Sequence, residues 1–160
     1  MATFAAALPG LRFVPTDLEA ENLGSIAAWA EGLANVAPPL QLDVTAPKWP
    51  VGAVDAVFCA NMIHIAPEAV VGALIRGASE HLVPGGLLVL YGPFRVEGQH
   101  TAPSNAAFDA SLRARDPRWG IRELESVAAV GRAAGLDLEH VQEMPANNKL
   151  VFFRRRSRLE

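Results

Sequence analysis

Strand-length apolar runs alternate with segments of helical period along almost the whole chain, and this alternation restricts the fold more than any other feature. Leu11–Asp17 reads as a short strand ending on an acid. Leu18–Leu33 follows with apolar residues at helical spacing, and Asp17 stands where an N-cap acceptor is wanted. After Pro38-Pro39, Leu40–Thr45 reads as a second strand ending near an acid. Val54–Ile65 begins as a β-rich run and is expected to be buried on both faces. Pro67 at a helix N1 opens the next helix, which stops at Val83-Pro84-Gly85-Gly86, read as a turn before the apolar strand Leu87–Tyr91.

Beyond the Gly92-Pro93-Phe94 loop the chain turns polar. Ser104 is placed to cap a helix through Asn105–Asp116, and Glu123–Ala134 reads as a helix closed by Gly135. Leu136–Pro145 and Lys149–Arg155 then form an antiparallel hairpin around Asn147-Asn148. Strands alternating with helices imply an α/β domain with a mostly parallel sheet and a closing hairpin, and ligands bind beyond the carboxyl ends of such strands. One domain over residues 1–158 is expected, with Leu159-Glu160 excluded as a candidate cloning remnant.

Composition narrows the class of partner. Apolar residues make up 51% of the 160 and charged ones 19%, so the chain can form a core. A net charge of −3 gives no general reason to expect nucleic acid or an acidic membrane. No apolar run reaches the ~18–20 residues that span a bilayer. "MATFAAALPG" has no basic region of the kind that opens a secretory signal. Cys59 is the sole cysteine, so no disulfide forms within one chain, and a cytoplasmic location is the expectation. Arg154, Arg155, Arg156 and Arg158 read as a solvated tail.

Thr16-Asp17, "LDVT" (42–45), "VDAVFCANMIHI" (54–65) and "LVPGGLLVLYGPF" (82–94), in that order, resemble the class I S-adenosylmethionine-dependent methyltransferases with their Rossmann-like fold. "HTAPSNAAFDASLRARDP" (100–117) and "EMPANN" (143–148) are similar, more specifically, to the methyltransferase-like twenty-six family. The resemblance implies S-adenosylmethionine as cofactor. It places Asp17 on the ribose hydroxyls, which an ionised carboxylate accepts in a fork. Asp43 and Val44 fall at the adenine, and Asn61 and Met62 at the methionine end.

His64, following Asn61-Met62 and expected to face the crevice mouth, is the candidate general base. Tyr91, Phe94, His100, Asn105 and Asp109 are the candidate acceptor-binding residues; Asn105 and Asp109 fall one helical turn apart. Arg95 and Arg115 suggest an anionic acceptor. The four histidines lack metal-ligand spacing, and no phosphate-binding loop or serine elbow occurs.

One part of the pattern is absent. In nucleotide-binding α/β folds the glycine loop lies roughly 20 residues before the strand-end acid. Counting back from Asp17 runs past Met1, and none of the 13 glycines forms G-x-G. The first strand and its loop are therefore expected to be missing, as in a truncated product, with weak or absent cofactor binding and sheet edges open to pairing with a second copy. Two other readings stay open: a non-catalytic module that associates through a sheet edge, and a dinucleotide oxidoreductase. The methyl acceptor is undefined.

Overall fold

The computed structural model describes residues 2–157, which form two compact units that divide between Pro50 and Val51. Arg158 and Leu159-Glu160 lie outside the described residues.

The first unit contains helix α1 (Ala2–Ala7), strand β1 (Thr16–Asp17), helix α2 (Ala20–Trp29) and strand β2 (Leu40–Gln41). β1 and β2 pair in parallel, Thr16 opposite Leu40 and Asp17 opposite Gln41. A further parallel bridge joins Phe13 to Val36. Both strands are far shorter than the apolar runs that announce them, because Pro15, Pro38 and Pro39 remove ladder donors. The Asn35 carboxamide supplies other bonds, donating to the carbonyls of Ala5 (2.9 Å), Leu8 (3.2 Å) and Leu11 (3.0 Å). It ties the end of α1 to the approach to β1.

The second unit is built on a sheet of order β3-β4-β8-β7. Its strands are β3 (Val54–Ala60), β4 (Leu82–Gly92), β7 (Leu136–Met144) and β8 (Asn148–Arg155). Helices α3 (Ala69–His81), α4 (Pro103–Arg115) and α5 (Leu124–Ala133) lie between them in sequence, with a two-stranded ribbon of β5 (Arg95–Val96) and β6 (Gln99–His100). β3 and β4 are parallel, while β4–β8 and β8–β7 are antiparallel. The sheet is thus mixed rather than mostly parallel, because the closing hairpin supplies half its strands.

Alternation along β4 and β8 defines the core face. Leu88 lies opposite Phe153, Leu90 opposite Val151 and Gly92 opposite Lys149, and all six are buried. Ile75 and Ala78 of α3, Val127 of α5 and Leu136 join them in the core. α5 comes close enough to β8 that a Cβ on Gly131 would lie 2.9 Å from the Phe153 ring. Burial of a side chain like Phe153 contributes about 2–3 kcal/mol.

Several local expectations change. Pro84-Gly85-Gly86 is a bulge inside β4 rather than a turn before it: Val54 pairs with Leu82 but Ala56 with Leu87, leaving the residues between looped out. Gly85 has φ +78°, and a Cβ on Gly86 would meet the Asp55 carbonyl at 2.9 Å, so each glycine has a reason. β3 pairs only with β4 in this sheet, and Phe58 is about half exposed, so the strand is not buried on both faces. α4 begins at Pro103 with Ala102 as its cap residue, and Ser104 lies inside the first turn. Gly135, at φ +82°, does close α5, its N–H donating to the Arg132 carbonyl. Arg154 and Arg156 form two-pronged ion pairs with Glu139 and Asp137, and Arg155 donates to the Leu82 carbonyl. Arg154 and Arg155 belong to the end of β8, and Arg156 directly follows it, its N–H donating to the Gly135 carbonyl, so these three do not form a solvated tail.

Candidate functional site

In the first unit, the two candidate cofactor acids lie at the same end of the β1–β2 pair. Asp17 closes β1, and Asp43 follows β2 by two residues, the Leu42 N–H donating to the Asp17 carbonyl at 2.8 Å. Asp17 is not the N-cap of α2, a position held by Glu19. Its Oδ1 accepts the Glu19 N–H (2.9 Å) and the Asn22 amide (3.0 Å). Asp43 Oδ1 accepts both the N–H and the hydroxyl of Thr45, at 2.8 and 2.7 Å. The hydroxyl bond and then the backbone bond hold the Asp43 carboxyl below its ordinary range. Val44 presents its carbonyl to the Trp49 indole N–H at 3.3 Å. Each acid has one oxygen committed locally and an Oδ2 that makes no hydrogen bond among the described residues. Both therefore fit a hydroxyl- or amine-bearing ligand.

In the second unit, β3 ends in a left-handed residue. Asn61 has φ 58°, and its N–H donates to the Tyr91 carbonyl at 2.8 Å. Met62–His64 then forms one 3-10 turn, so the chain folds back instead of extending along the strand to Ile65. This reversal decides the fate of His64. Rather than facing a crevice mouth, its ring is turned inward and is 0% exposed. Nδ1 accepts the Arg122 N–H at 3.4 Å, which puts the proton on Nε2, and Nε2 has no partner. The ring meets Phe94 edge-on, with centroids 5.3 Å apart. It also presses on Gly92, where a Cβ would lie 2.6 Å from Nε2. Burial, followed by the Arg122 charge, lowers the His64 pKa to about 4, so the ring is neutral at pH 7.

Arg122 has no signal in the sequence pattern. Its guanidinium donates to the carbonyls of Ile63 (2.8 Å), Ala66 and Arg118 (3.2 Å), holding the 3-10 turn from below. Gly120 donates to the His64 carbonyl at 2.9 Å.

The candidate acceptor residues divide into two sets. Phe94 is 0% exposed and belongs to the core, whereas Tyr91 is half-buried, its hydroxyl accepting the Asn148 amide at 3.0 Å. Asn105 and Asp109 share a face of α4, as their spacing predicts, but that face is turned inward. Asn105 donates to the Thr101 hydroxyl and the Asn147 carbonyl, both at 3.0 Å. Asp109 accepts the Ile121 N–H (2.6 Å) and Arg113 Nε (3.0 Å), with His100 Nε2 at 3.6 Å. Burial pushes the Asp109 carboxyl up, but the bonds from Arg113 and Ile121 and the charges of Arg113 and His100 more than offset it. Asp109 is thus committed to Arg113 and the Ile121 backbone, with His100 beside it, whose Nδ1 is buried and makes no hydrogen bond among the described residues. Arg95 lies 3.6 Å from Glu123 and donates to the Gly98 carbonyl at 2.7 Å, and Arg115 lies over the Trp119 ring at 5.1 Å. Burial pushes the Cys59 thiol up to about 11, which makes it a poor nucleophile.

An open basin of about 510 Å³ lies beside Asn61, lined by Pro93, Ser104, Phe108, Asn147 and Asn148 among others. A second hollow, of about 580 Å³, lies along α5 and β7, but it contains no candidate residue and two of its charged groups, Asp137 and Arg156, pair with each other. Among the described residues no helix is long and apolar enough to cross a membrane, and no three His, Cys, Asp or Glu side chains group as metal ligands would.

Residues 1–155 match the model of the family described as "Protein of unknown function (DUF938)". The chain belongs to the DUF938 family. Solved structures add the fold. An O-methyltransferase family protein from Burkholderia thailandensis superposes with a TM-score of 0.83 at 18% identity, covering 98% of this chain and 48% of that one. SibL, an S-adenosylmethionine-dependent methyltransferase, gives 0.79 at 22%, covering 98% and 47%. A pericyclic reaction enzyme gives 0.79 at 14%, covering 96% and 39%. The fold is therefore the Rossmann-like methyltransferase fold, and the chain spans less than half the length of these structures. A pericyclic enzyme among them shows that the fold does not fix the reaction.

Proposed function

We propose that this DUF938 chain is an S-adenosylmethionine-dependent methyltransferase fold acting on an acceptor yet to be defined, and that its nearer kinship is with the methyltransferase-like twenty-six family. The observation that carries this reading is the paired end of parallel β3 and β4. There the left-handed Asn61 bonds to Tyr91 and reverses the chain, leaving an open basin beside it. Ligands of parallel α/β sheets bind at such ends. In support, Asp17 and Asp43 each keep a carboxylate oxygen open.

In this reading Asp17 would accept the ribose hydroxyls, Asp43 and Val44 would hold the adenine, and Asn61 and Met62 the methionine end. The bound cofactor supplies a methyl group on a sulfonium, already primed to leave, so the protein's task is to position the acceptor and exclude water. Tyr91, hydrogen-bonded to Asn148, is the acceptor-side residue of the expected set nearest this role. His64, neutral and enclosed, is assigned to bracing the Asn61 turn. Asn105, Asp109, His100 and Phe94 position that turn and the basin wall.

Calorimetric titration of S-adenosylhomocysteine into the 160-residue chain, with NAD alongside, tests the reading. Without a glycine loop in the sequence, weak but selective binding is expected, with Kd on the order of 1 mM, about −4 kcal/mol. Tighter binding of NAD would replace the methyltransferase reading with an oxidoreductase. No binding of either ligand, with a stable dimer by light scattering, would favour the interaction module instead. No binding by a monomer, either by the 160-residue chain or by one extended upstream to supply a glycine loop, would sink both.

A further inference from the structure

The sheet of order β3-β4-β8-β7 has two outer edges, and they are built differently. The β7 edge is guarded. Its residues include Asp137, Glu139, His140 and Glu143, and its ladder to β8 is interrupted by a bulge between Leu138 and His140. Charged side chains and bulges keep an edge strand from pairing further. The β3 edge has little of either. In Val54-Asp55-Ala56-Val57-Phe58-Cys59-Ala60 only Asp55 is charged, no proline interrupts, and from Ala56 to Ala60 the ladder to β4 is regular. Phe58 is half exposed, and Ala56 and Ala60, on the same face of the strand, are exposed as well. A regular, apolar, open edge is a template for another strand.

The side chains of β3 match a second copy of β3. A two-fold axis through Phe58 pairs the copies antiparallel and sets Phe58 against Phe58, a cross-strand aromatic pair. Ala56 then falls opposite the second copy's Ala60, so small residues flank the two rings. On the other face Val57 falls opposite Cys59, and Asp55 lies opposite Asn61, so no like charges meet. The same operation fails on β7. An axis through any of Leu138, Glu139, His140 or Val141 sets an acid opposite an acid, which destabilises a pair.

We infer that this chain forms a two-fold dimer in solution through antiparallel pairing of β3 with β3 of a second copy, with Phe58 on the axis. The two sheets become one, continuous across the dimer. The pairing rests on β3 alone, so a cofactor result in either direction leaves it standing.

Light scattering and sedimentation velocity on the 160-residue chain, from about 1 to about 200 µM, test it. A single strand pair is a small interface, so the dimer is expected to dissociate on dilution with Kd on the order of 10 µM. Phe58→Lys places like charges on the axis and should weaken the dimer at least about tenfold, whereas Leu138→Lys on the β7 edge should leave it unchanged. Hydrogen exchange on the unaltered chain is independent of how the variants fold: β3 amides should exchange more slowly as concentration rises, and β7 amides should not. Phe58→Cys in a Cys59→Ser background checks the register. Directly opposed Cβ atoms lie within disulfide reach, so mild oxidation should give a covalent dimer. A single-chain mass at every concentration overturns the inference. So does concentration-dependent protection of β7 in place of β3, or a dimer that Phe58→Lys leaves intact.

Discussion

His64 makes a quantitative claim about acid stability. Its ring is enclosed by Phe94, Gly92 and the Arg122 backbone, and its pKa falls from 6.5 to about 4. An unfolded chain would protonate this histidine near pH 6.5 while the folded chain does not. Between those values the unfolded state binds more protons, so stability is full above pH 6.5 and is lost as pH falls towards 4. A difference of that size corresponds to about 3 kcal/mol. Most carboxylates titrate below this window, so the loss between pH 6.5 and 4.5 is largely that of His64. Urea unfolding of the wild type and of His64→Gln across pH 4–8 measures it. The wild type should lose about 3 kcal/mol more than the variant between pH 7 and 4, with the NMR titration of His64 centred near 4. Parallel pH profiles for the two proteins, or a midpoint above about 6, would refute the argument.

Three substitutions probe the same brace. Gly92→Ala puts a Cβ 2.6 Å from His64 Nε2 and 3.0 Å from Asn61 Oδ1, and should cost about 3 kcal/mol through clash and strained φ, read as a lowered Tm. Arg122→Met strips the bonds to Ile63, Ala66 and Arg118; a loss of about 2–3 kcal/mol is expected from denaturant unfolding, together with a higher His64 pKa by NMR because a neighbouring cation has gone. Asp109→Asn weakens the clamp on Arg113 and Ile121. It should cost about 1–3 kcal/mol at pH 7, and the difference should shrink as pH falls through the lowered range in which the wild-type carboxyl takes up its proton.

What was legible in the sequence is what depends on local pattern. The β7–β8 hairpin, α5 with its Gly135 stop, and the central apolar strand follow from periodicity and turn chemistry that neighbours suffice to set. The errors arise where a distant partner decides. Asp109 reads as a polar residue available to a ligand, yet its oxygens are taken by Ile121, twelve positions on, and by Arg113. Pro84-Gly85-Gly86 reads as a turn, but Arg154 from β8 donates to the Gly85 carbonyl at 2.7 Å and the segment stays within the strand as a bulge. The left-handed turn at Asn61 sends His64 inward, and nothing in "ANMIHI" marks that reversal beyond asparagine's tolerance of positive φ. Arg122 acts on carbonyls from a position with no periodic signal. The basin's asparagines sit in "EMPANN", legible as part of a family likeness but not as a surface.

The most direct test of the methyltransferase reading is a residue-by-residue map of S-adenosylhomocysteine on the isotopically labelled chain. Backbone amide shifts that saturate at Asp17, at Asp43 to Thr45 and at Asn61 to His64 are the predicted result. Shifts confined to the hollow along α5 and β7, or the same residues answering more strongly to NAD, would contradict it.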